Sequence, residues 1–229
     1  MTLRSTTGQQ LRIHGFSISL DGYAAGPGQS MADPVGVGGR RLHQWMFQTR
    51  TFAERFGTDG TEEGIDDEVV RTDFDNIGAS IIGRNMFGPV RGPWREPSWD
   101  GWWGKNPPFH HPVFVLTHYK REPLHLEGGT VFHFVTGGID EARERALAAA
   151  DGRDVRVGGG VSTVREMIRR QLVDRIGLTV VPVLLGRGER LFETSPLDTP
   201  TPGYECVSLV ASERVVHVQL ERTEEYPHA

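Results

Sequence analysis

The sequence has very little cysteine, since Cys206 is the only one among 229 residues. A single thiol excludes an internal disulfide framework and is typical of a reducing compartment. Cys206 falls within a predicted strand, where we expect a buried and unreactive side chain. A secretion signal is also missing from the sequence. Together these features predict a cytoplasmic protein.

Long apolar runs and basic clusters are absent as well. No stretch approaches the ~20 apolar residues that a membrane-spanning helix needs. The net charge is −5 and the pI is near 6.0. Broad contact with a nucleic-acid backbone requires clustered positive charge. We therefore expect neither a membrane protein nor a nucleic-acid-binding protein.

Patterns typical of metal sites and of nucleophilic catalysis are also missing. His110 and His111 are adjacent, but no cysteine or acidic residue stands near them at a ligand spacing. No Ser-His-Asp or Cys-His arrangement can be assigned from the order of residues. The sequence therefore predicts no metal site.

Glycine is abundant, with 29 residues, and three of them are consecutive at Gly158, Gly159 and Gly160. A β-branched run ends at these glycines and a helical pattern begins directly after them. The first amides of a helix lack internal partners and lie at the positive end of its dipole, so a phosphate could bind here. Ser162 and Thr163 add hydroxyl groups to this turn. A tight turn that binds nothing is the alternative, and the segment alone does not decide between them.

Hydrophobic periodicity predicts strands that alternate with helices. Strands are expected at residues 11–20, 78–83, 113–117, 130–136, 154–157 and 176–185, with a hairpin at 204–211 and 214–221. Helices are expected at residues 40–56, 65–75, 84–87, 139–150 and 161–171, and a long loop at 21–39.

This order of elements is typical of an α/β protein. It predicts a mixed sheet that is mostly parallel, with an antiparallel C-terminal edge and helices on both faces. No change in composition marks a boundary, so we expect a single domain over residues 11–222 that follows a flexible N-terminus, residues 1–10.

Four predicted strand ends carry unusual chemistry, and ligands of open α/β sheets bind at the carboxyl ends of parallel strands. Arg84 follows a strand at a helix start, where a bound anion would offset the repulsion from the helix dipole. The alternatives for Arg84 are a solvated side chain or an ion pair with Glu96 or Asp100. Thr117 and His118 end another strand and could hold a second phosphate, or could form a plain turn with a solvated histidine.

Asp21 ends the first predicted strand at the mouth of the long loop. Its carboxylate could orient a ligand amide or relay a proton. An aspartate that forms a turn before Gly22 is the alternative, and the spacing favours this second interpretation.

Five segments, in this order and with this spacing, resemble the dihydrofolate reductase superfamily. The most similar branch is the reductase domain of the riboflavin-biosynthesis deaminase/reductase, the RibD C-terminal domain, with its stand-alone relatives. The resemblance runs from about Leu11 to Leu220, and its segments are residues 19–23, 82–86, 115–117, 157–160 and 182–192.

The resemblance implies a dihydrofolate reductase-like fold that binds NADPH in an extended pose, and a homodimer. By similarity, the adenosine ribose phosphate contacts Gly83, Arg84, Asn85, Met86, Leu116, Thr117 and His118. The pyrophosphate contacts Gly158, Gly159, Gly160, Val161, Ser162 and Thr163. The segment from Asp21 to Ala25, which includes Ala24, lies near the nicotinamide, and Asp21 is the candidate catalytic residue. The loop at residues 184–191 would shape the reactive end or a dimer contact.

The sequence also departs from the family. Folate-reducing members carry an acid early in the helix after the first strand, whereas residues 37–45 offer arginines and His43 but no acid. The zinc deaminase motif is absent. Trp102 and Trp103 indicate an aromatic-lined pocket for a planar ring.

These features favour an NADPH-dependent reductase that acts on a small planar heterocycle of pyrimidine or pterin type. The proton could come from Asp21, His43 or water. The alternative is a non-catalytic protein that binds a nucleotide or a flavin on the same fold.

Overall fold

The computed structural model describes residues 8–94, 99–192 and 203–223. Its strands are β1 Leu11–Ser19, β2 Tyr23–Ala25, β3 Ile77–Gly83, β4 Pro112–Leu116, β5 Leu124–His125, β6 Val131–Val135, β7 Asp154–Gly159, β8 Arg175–Val181, β9 Glu189–Arg190, β10 Tyr204–Ala211 and β11 Val216–Arg222. Its α-helices are α1 Gln44–Phe47, α2 Arg50–Phe56, α3 Ile65–Phe74, α4 Arg84–Phe87, α5 Ile139–Ala149 and α6 Val161–Arg169. Two 3-10 helices cover Gly39–His43 and Glu127–Gly129.

Among the described residues, nine strands form one sheet in the order β10-β11-β8-β1-β7-β3-β4-β6-β5. The six strands from β8 to β6 are mutually parallel, whereas β5, β10 and β11 pair in antiparallel fashion. Strands β2 and β9 form a separate two-stranded sheet. The predicted mixed sheet with an antiparallel C-terminal edge is confirmed.

Helices cover both faces of the sheet because its central strands are apolar on both sides. On β3, Ile81 joins a core that contains Val164 and Met167 of α6. The next residue, Ile82, joins a second core with Phe87 of α4 and the partly buried tryptophans. Since successive side chains of a strand point to opposite faces, α6 and α4 lie on opposite sides of the sheet.

Strands β1 and β7 separate before they end. They pair only at Leu11 with Val155 and at Arg12 with Arg156. Beyond this point β1 continues beside β8 and β7 continues beside β3. A bulge at Gly15, whose φ is 61°, interrupts the pairing of β1 with β8 just where the separation begins. A crevice therefore opens between the carboxyl halves of β1 and β7.

A buried carboxylate lies at the base of this crevice. Asp73 of α3 is 1% exposed and accepts hydrogen bonds from Nε and Nη2 of Arg156 at 2.9 and 2.5 Å. Its Oδ1 atom also lies 4.0 Å from Nδ1 of His14 on β1. Arg156 is the last β7 residue that pairs with β1, so the Asp73 ion pair holds β7 to α3 where the two strands part.

Some element boundaries differ from the expected ones. The helix predicted at 40–56 is broken, because Thr49 adopts an extended backbone and its hydroxyl caps α2 by accepting from the Phe52 amide. The strand predicted at 176–185 ends at Val181, since Pro182 has no amide to donate to the ladder. The long loop is not wholly irregular, because it contains β2.

Two expectations at the edges of the domain are corrected. Cys206 is exposed rather than buried, because it lies on β10 at the edge of the sheet. Gln9 is not free, since its side chain donates to the carbonyls of Leu147 and Arg153 at 2.8 Å. Residues 1–7 of the predicted flexible N-terminus lie outside the described residues.

In the described part of the chain, no helix has both the length and the apolar character needed to cross a membrane.

Replacing Asp73 with asparagine should destabilise the fold strongly. The change leaves the Arg156 guanidinium buried without a counter-charge, and breaking a buried ion pair in this way costs ~3–5 kcal/mol. Urea denaturation measures the effect. The matched control is Glu141→Gln, which removes an exposed ion pair with Arg145 and should cost less than ~1 kcal/mol. Equal losses in the two variants would show that Asp73 does not hold the structure together.

Stability should fall on acidification, partly because of His111. Burial lowers the pKa of His111 from 6.5 to about 3, and Arg156 adds to the effect. Below pH ~6.5 the His111 imidazole is therefore protonated in the unfolded chain but stays neutral in the folded chain. The free energy of unfolding decreases as the pH falls from ~6.5 towards 3. His111→Gln should flatten the dependence of the urea midpoint on pH in this range. The exposed control His125→Gln should leave it unchanged; identical slopes in all three proteins would contradict the assignment.

Candidate functional site

The four strand ends singled out in the sequence lie at one edge of the sheet. They follow β1, β7, β3 and β4, which are adjacent and parallel. The crevice between β1 and β7 opens at this edge, and Phe16 of β1 faces Gly159 of β7 across it, with a Cβ built on Gly159 lying 3.8 Å from the Phe16 ring. Such an interruption at the carboxyl ends of parallel strands is where α/β proteins bind ligands.

The glycine segment packs directly against the end of β3. A Cβ atom on Gly83 would lie 2.5 Å from the Thr163 hydroxyl, so glycine at the end of β3 allows the first turn of α6 to approach this closely. Met86 lies beside the same segment, because a Cβ on Gly158 would be 3.2 Å from its methyl group. The structure therefore brings together the segments expected to contact the pyrophosphate and the adenosine ribose.

The first turn of α6 offers free amides to an anion. Its N-cap, Gly160, has no side chain to satisfy them, and no acidic residue lies in the first turn. Ser162 is exposed at this end, whereas Val161 and Thr163 are buried. The peptide bond between Gly159 and Gly160 is cis. The unpaired amides and the helix dipole together favour a negative group at this position.

Arg84 is held against an aromatic ring. Its Cζ atom lies 3.1 Å from the centroid of the Trp94 ring. The Nε and Nη1 atoms are buried and form no hydrogen bond. Burial lowers the pKa of Arg84 to about 10, and the nearby Arg121 adds to this effect. No ion pair joins Arg84 to Asp100, and Glu96, the other expected partner, lies outside the described residues.

Two further contacts fix the turn after β3. The backbone carbonyl of Met86 accepts hydrogen bonds from the indole N–H groups of Trp102 and Trp103 at 2.6 and 2.8 Å. The Asn85 amide donates to the Gln29 side chain at 3.3 Å. Gln29 belongs to the long loop after β1, so this loop reaches across the crevice to α4.

The end of β4 supplies the third segment. Leu116 is half-buried and Thr117 is buried, with its backbone amide donating to Val135. The Thr117 hydroxyl accepts from the Tyr119 amide at 3.2 Å and keeps its own proton for another acceptor. His118 is exposed. This segment meets α4 through Trp94, whose indole N–H donates to the Tyr119 carbonyl at 2.9 Å.

Asp21 is engaged in holding a neighbouring loop. Its carboxylate accepts hydrogen bonds from the Ser19 hydroxyl at 2.6 Å and from the amides of Leu185 and Gly186 at 3.1 and 2.7 Å. The Ser19 hydrogen bond is the largest cause that lowers the pKa of Asp21 to about 2. A carboxylate with this pKa carries no proton to donate near neutral pH. The Asp21 carboxylate therefore joins the end of β1 to the loop that follows β8.

The other expected residues near the nicotinamide differ in their surroundings. Ala24 is buried in β2, which pairs with β9 beside the Asp21 turn. His43 ends the 3-10 helix at Gly39–His43 and is half-buried. Desolvation lowers its pKa to about 4, so the imidazole is neutral at pH 7.

Two open cavities lie beside α1, and the larger is lined by Val183, whose carbonyl accepts from the Leu20 amide at the end of β1 at 3.0 Å. The larger, of about 490 Å³, lies between the 3-10 helix with α1 and the adjacent ends of β8 and β11. The second, of about 390 Å³, shares Arg40, Phe47 and Gln48 with it. None of the residues expected to bind the cofactor lines either cavity. The cavity thus adjoins the end of β1, whereas the unpaired amides of α6 and the glycine segment lie at the end of the neighbouring strand β7.

Sequence reasoning missed several residues of this site, namely Gln29, Trp94, Tyr119 and Arg121. Trp94 and Arg121 stand in irregular segments, where no periodicity predicts which side chains turn inward. The concentration of tryptophan at residues 94–103 was the signal that could have identified Trp94. As to metals, the described residues contain no group of three or more histidine, cysteine or acidic side chains that could hold an ion.

Comparison with known proteins matches the chain to one family over nearly its full length. A family model described as the RibD C-terminal domain matches residues 13–226. None of the curated proteins matches the sequence.

Three solved structures share the fold at low sequence identity. A putative riboflavin biosynthesis protein from Shewanella sp. PV-4 is 19% identical, with a TM-score of 0.55 over 95% of this chain and 99% of that one. A pyrimidine reductase-like protein from Corynebacterium diphtheriae is 13% identical, with a TM-score of 0.55 over 98% and 96%. A diaminohydroxyphosphoribosylaminopyrimidine deaminase/5-amino-6-(5-phosphoribosylamino)uracil reductase from Thermotoga maritima is 13% identical, with a TM-score of 0.55. The chain aligns with only 57% of that last protein, over 94% of its own length.

Asp21→Ala should release the loop that follows β8. The variant loses the acceptors for the Leu185 and Gly186 amides, so the exposed peptide bond after Arg187 should become more accessible. Limited digestion with trypsin, followed by mass spectrometry, measures cleavage at this site. Asp33→Ala, a change in the long loop, is the control and should be cut at the wild-type rate. If Asp21→Ala were cleaved after Arg187 at the wild-type rate, the Asp21 carboxylate would not be the group that fixes the loop after β8.

Proposed function

The chain belongs to the RibD C-terminal domain family, and we propose that it is an NADPH-dependent reductase of small planar heterocycles. The family assignment makes it an oxidoreductase of the riboflavin and folate type. The finer steps are the choice of NADPH as cofactor and of a pyrimidine- or pterin-like ring as substrate, and these rest on the geometry of the crevice.

One observation carries the proposal, namely the position of the glycine segment at the crevice. Gly158, Gly159 and Gly160 end β7 where it has left β1, and the uncapped amides of α6 follow at once. A dinucleotide pyrophosphate needs backbone donors, a positive dipole and no side chains in its way. This segment supplies all three, and the Gly83 backbone packs against it.

The residues present also fit the phosphate on the adenosine ribose. Arg84 has buried donors without a hydrogen-bond partner, which is costly unless a ligand completes them. A phosphate would accept charge-assisted hydrogen bonds from this guanidinium. Thr117 lies at the end of the strand next to β3 and keeps a hydroxyl proton for the same group. These features support NADPH over NADH.

In this proposal the bound nicotinamide supplies the hydride, and the chain supplies binding and orientation. The amides at residues 161–163 hold the pyrophosphate, while Arg84 and Thr117 hold the other end of the cofactor. The long loop, which contacts Asn85 through Gln29, covers the crevice beside Arg84, at the adenosine end of the cofactor. Trp102 and Trp103 are fixed to the carbonyl of Met86 and therefore lie beside the segment assigned to the adenosine ribose.

The surroundings of the two candidate acids favour water as the proton source. Asp21 is ionised at neutral pH, and its oxygens are occupied by the Ser19 hydroxyl and two loop amides. His43 is neutral because desolvation lowers its pKa to about 4. Neither group holds a proton that it could deliver at pH 7. We therefore assign Asp21 a positioning role and expect the proton to come from solvent.

The lack of a protonated side chain at Asp21 and His43 also fits a second candidate function. A chain without a proton donor could bind a nucleotide or a flavin and catalyse nothing. The two candidates differ in one measurable respect, since only a reductase oxidises NADPH in the presence of an acceptor ring. The homodimer that the family resemblance implies is a further proposal, which sedimentation of the purified chain would test.

Titration calorimetry with NADPH and with NADH tests the cofactor assignment. We expect the wild-type chain to bind NADPH more tightly, and Arg84→Ala to lose at least about tenfold in NADPH affinity while its NADH affinity changes little. The matched control is Arg145→Ala, which removes another arginine that lies over an aromatic ring, Phe114, on α5. Equal losses for both nucleotides in Arg84→Ala would refute the phosphate contact.

Failure of the wild-type chain to bind either nucleotide would overturn the proposed function itself. Turnover is measured in parallel as the loss of NADPH absorbance over a panel of pyrimidines, pterins and flavins. Binding of NADPH without oxidation by any acceptor would favour the non-catalytic alternative.

A further inference from the structure

Trp94 lies between two arginines and the end of a strand. The Arg84 Cζ atom is 3.1 Å from the centroid of its ring, and the Arg121 Cζ atom is 4.9 Å away. Its indole N–H donates to the Tyr119 carbonyl at 2.9 Å. One side chain thus touches α4, the end of β4 and the cation that follows it.

Two guanidinium groups around one indole repel each other. Arg121 contributes to the lowered pKa of Arg84, so each cation is less favourable for the presence of the other. Arg121 is held in place by a hydrogen bond from its Nη2 to the Trp99 carbonyl at 2.6 Å. No carboxylate of the described residues pairs with Arg84. An anion placed beside Arg84 would reduce this repulsion, and the buried Nε and Nη1 atoms of Arg84 have no hydrogen-bond partner within the protein.

The stacked geometry leaves Arg84 able to bind such an anion. Stacking uses the flat face of a guanidinium, whereas its hydrogen bonds to phosphate leave from the edge, in the plane of the group. A ring against the face therefore fixes the direction of the edge without competing for it. The folded protein has then already ordered this long side chain, so binding does not have to offset the loss of its conformational entropy.

We propose that Trp94 is a positioning residue for Arg84, which it orients towards the 2′-phosphate of the cofactor. Trp94 is thereby a determinant of the preference for NADPH over NADH, although it carries no charge itself. This inference rests on the proposed function. It predicts that the aromatic ring matters for discrimination between the two nucleotides, and that the bound phosphate need not touch it.

The test compares Trp94→Ala with Trp94→Phe by calorimetry with NADPH, NADH and adenosine 2′-monophosphate. Trp94→Ala should weaken binding of NADPH and of adenosine 2′-monophosphate by about tenfold and leave NADH within about twofold. Trp94→Phe keeps a ring for stacking and should retain most of the discrimination, although it loses the hydrogen bond to Tyr119. A melting curve of each variant confirms that the fold is intact.

A double variant separates positioning from mere packing. If Trp94 acts through Arg84, then adding Trp94→Ala to Arg84→Ala should cause no further loss of NADPH affinity. Independent, additive losses would overturn the proposal, because they would show that the ring contributes by itself. A gain in NADPH affinity in Trp94→Ala would also overturn it, since the ring would then be covering Arg84.

The remaining outcomes distinguish this inference from the proposed function. If the wild-type chain binds NADPH and NADH equally, the inference fails while a reductase function stands. If NADPH is preferred and Trp94→Ala keeps the preference, the role of Trp94 alone is refuted. If the wild-type chain binds neither nucleotide nor adenosine 2′-monophosphate, both the inference and the proposed function are wrong.

Discussion

The ion pair between Asp73 and Arg156 is the interaction on which the site depends. It lies in the interior, where a charge without its partner is expensive, so α3 and β7 are held in one arrangement. Arg156 belongs to the last pair of residues that joins β1 to β7, and the Asp73 carboxylate lies 4.0 Å from His14 on β1, just beyond that pair. The two strands are thus fixed at their base and are free to diverge above it. That divergence creates the crevice at which the strand ends converge.

The site above this base is unusual in its balance of charge. It presents the amides of α6 and the guanidinium of Arg84, while the Asp21 carboxylate that follows β1 accepts hydrogen bonds from the Ser19 hydroxyl and two loop amides. A site of this kind favours a negative ligand and offers little to protonate a substrate.

Much of the fold could be predicted because its signals are local. A β-branched run, three glycines and an apolar helical face predict the strand-glycine-helix unit at residues 154–169. Each of these features determines the backbone conformation within a few residues. The helix break at Thr49 was missed because a threonine cap competes with helical periodicity, and a bridge to Glu62 decides the outcome. Cys206 was misplaced because alternation on an edge strand does not show which face another layer covers.

The sequence by itself determined the family, the order of the elements and the residue types at the four strand ends. Those properties follow from short-range patterns that any window of the chain displays. Only the tertiary structure decided that Asp21 bonds the loop after β8 and that Trp94 lies on Arg84. These contacts join residues that are far apart in the chain or lie in irregular segments. Tertiary packing determines which of these residues meet, and local sequence patterns do not predict it.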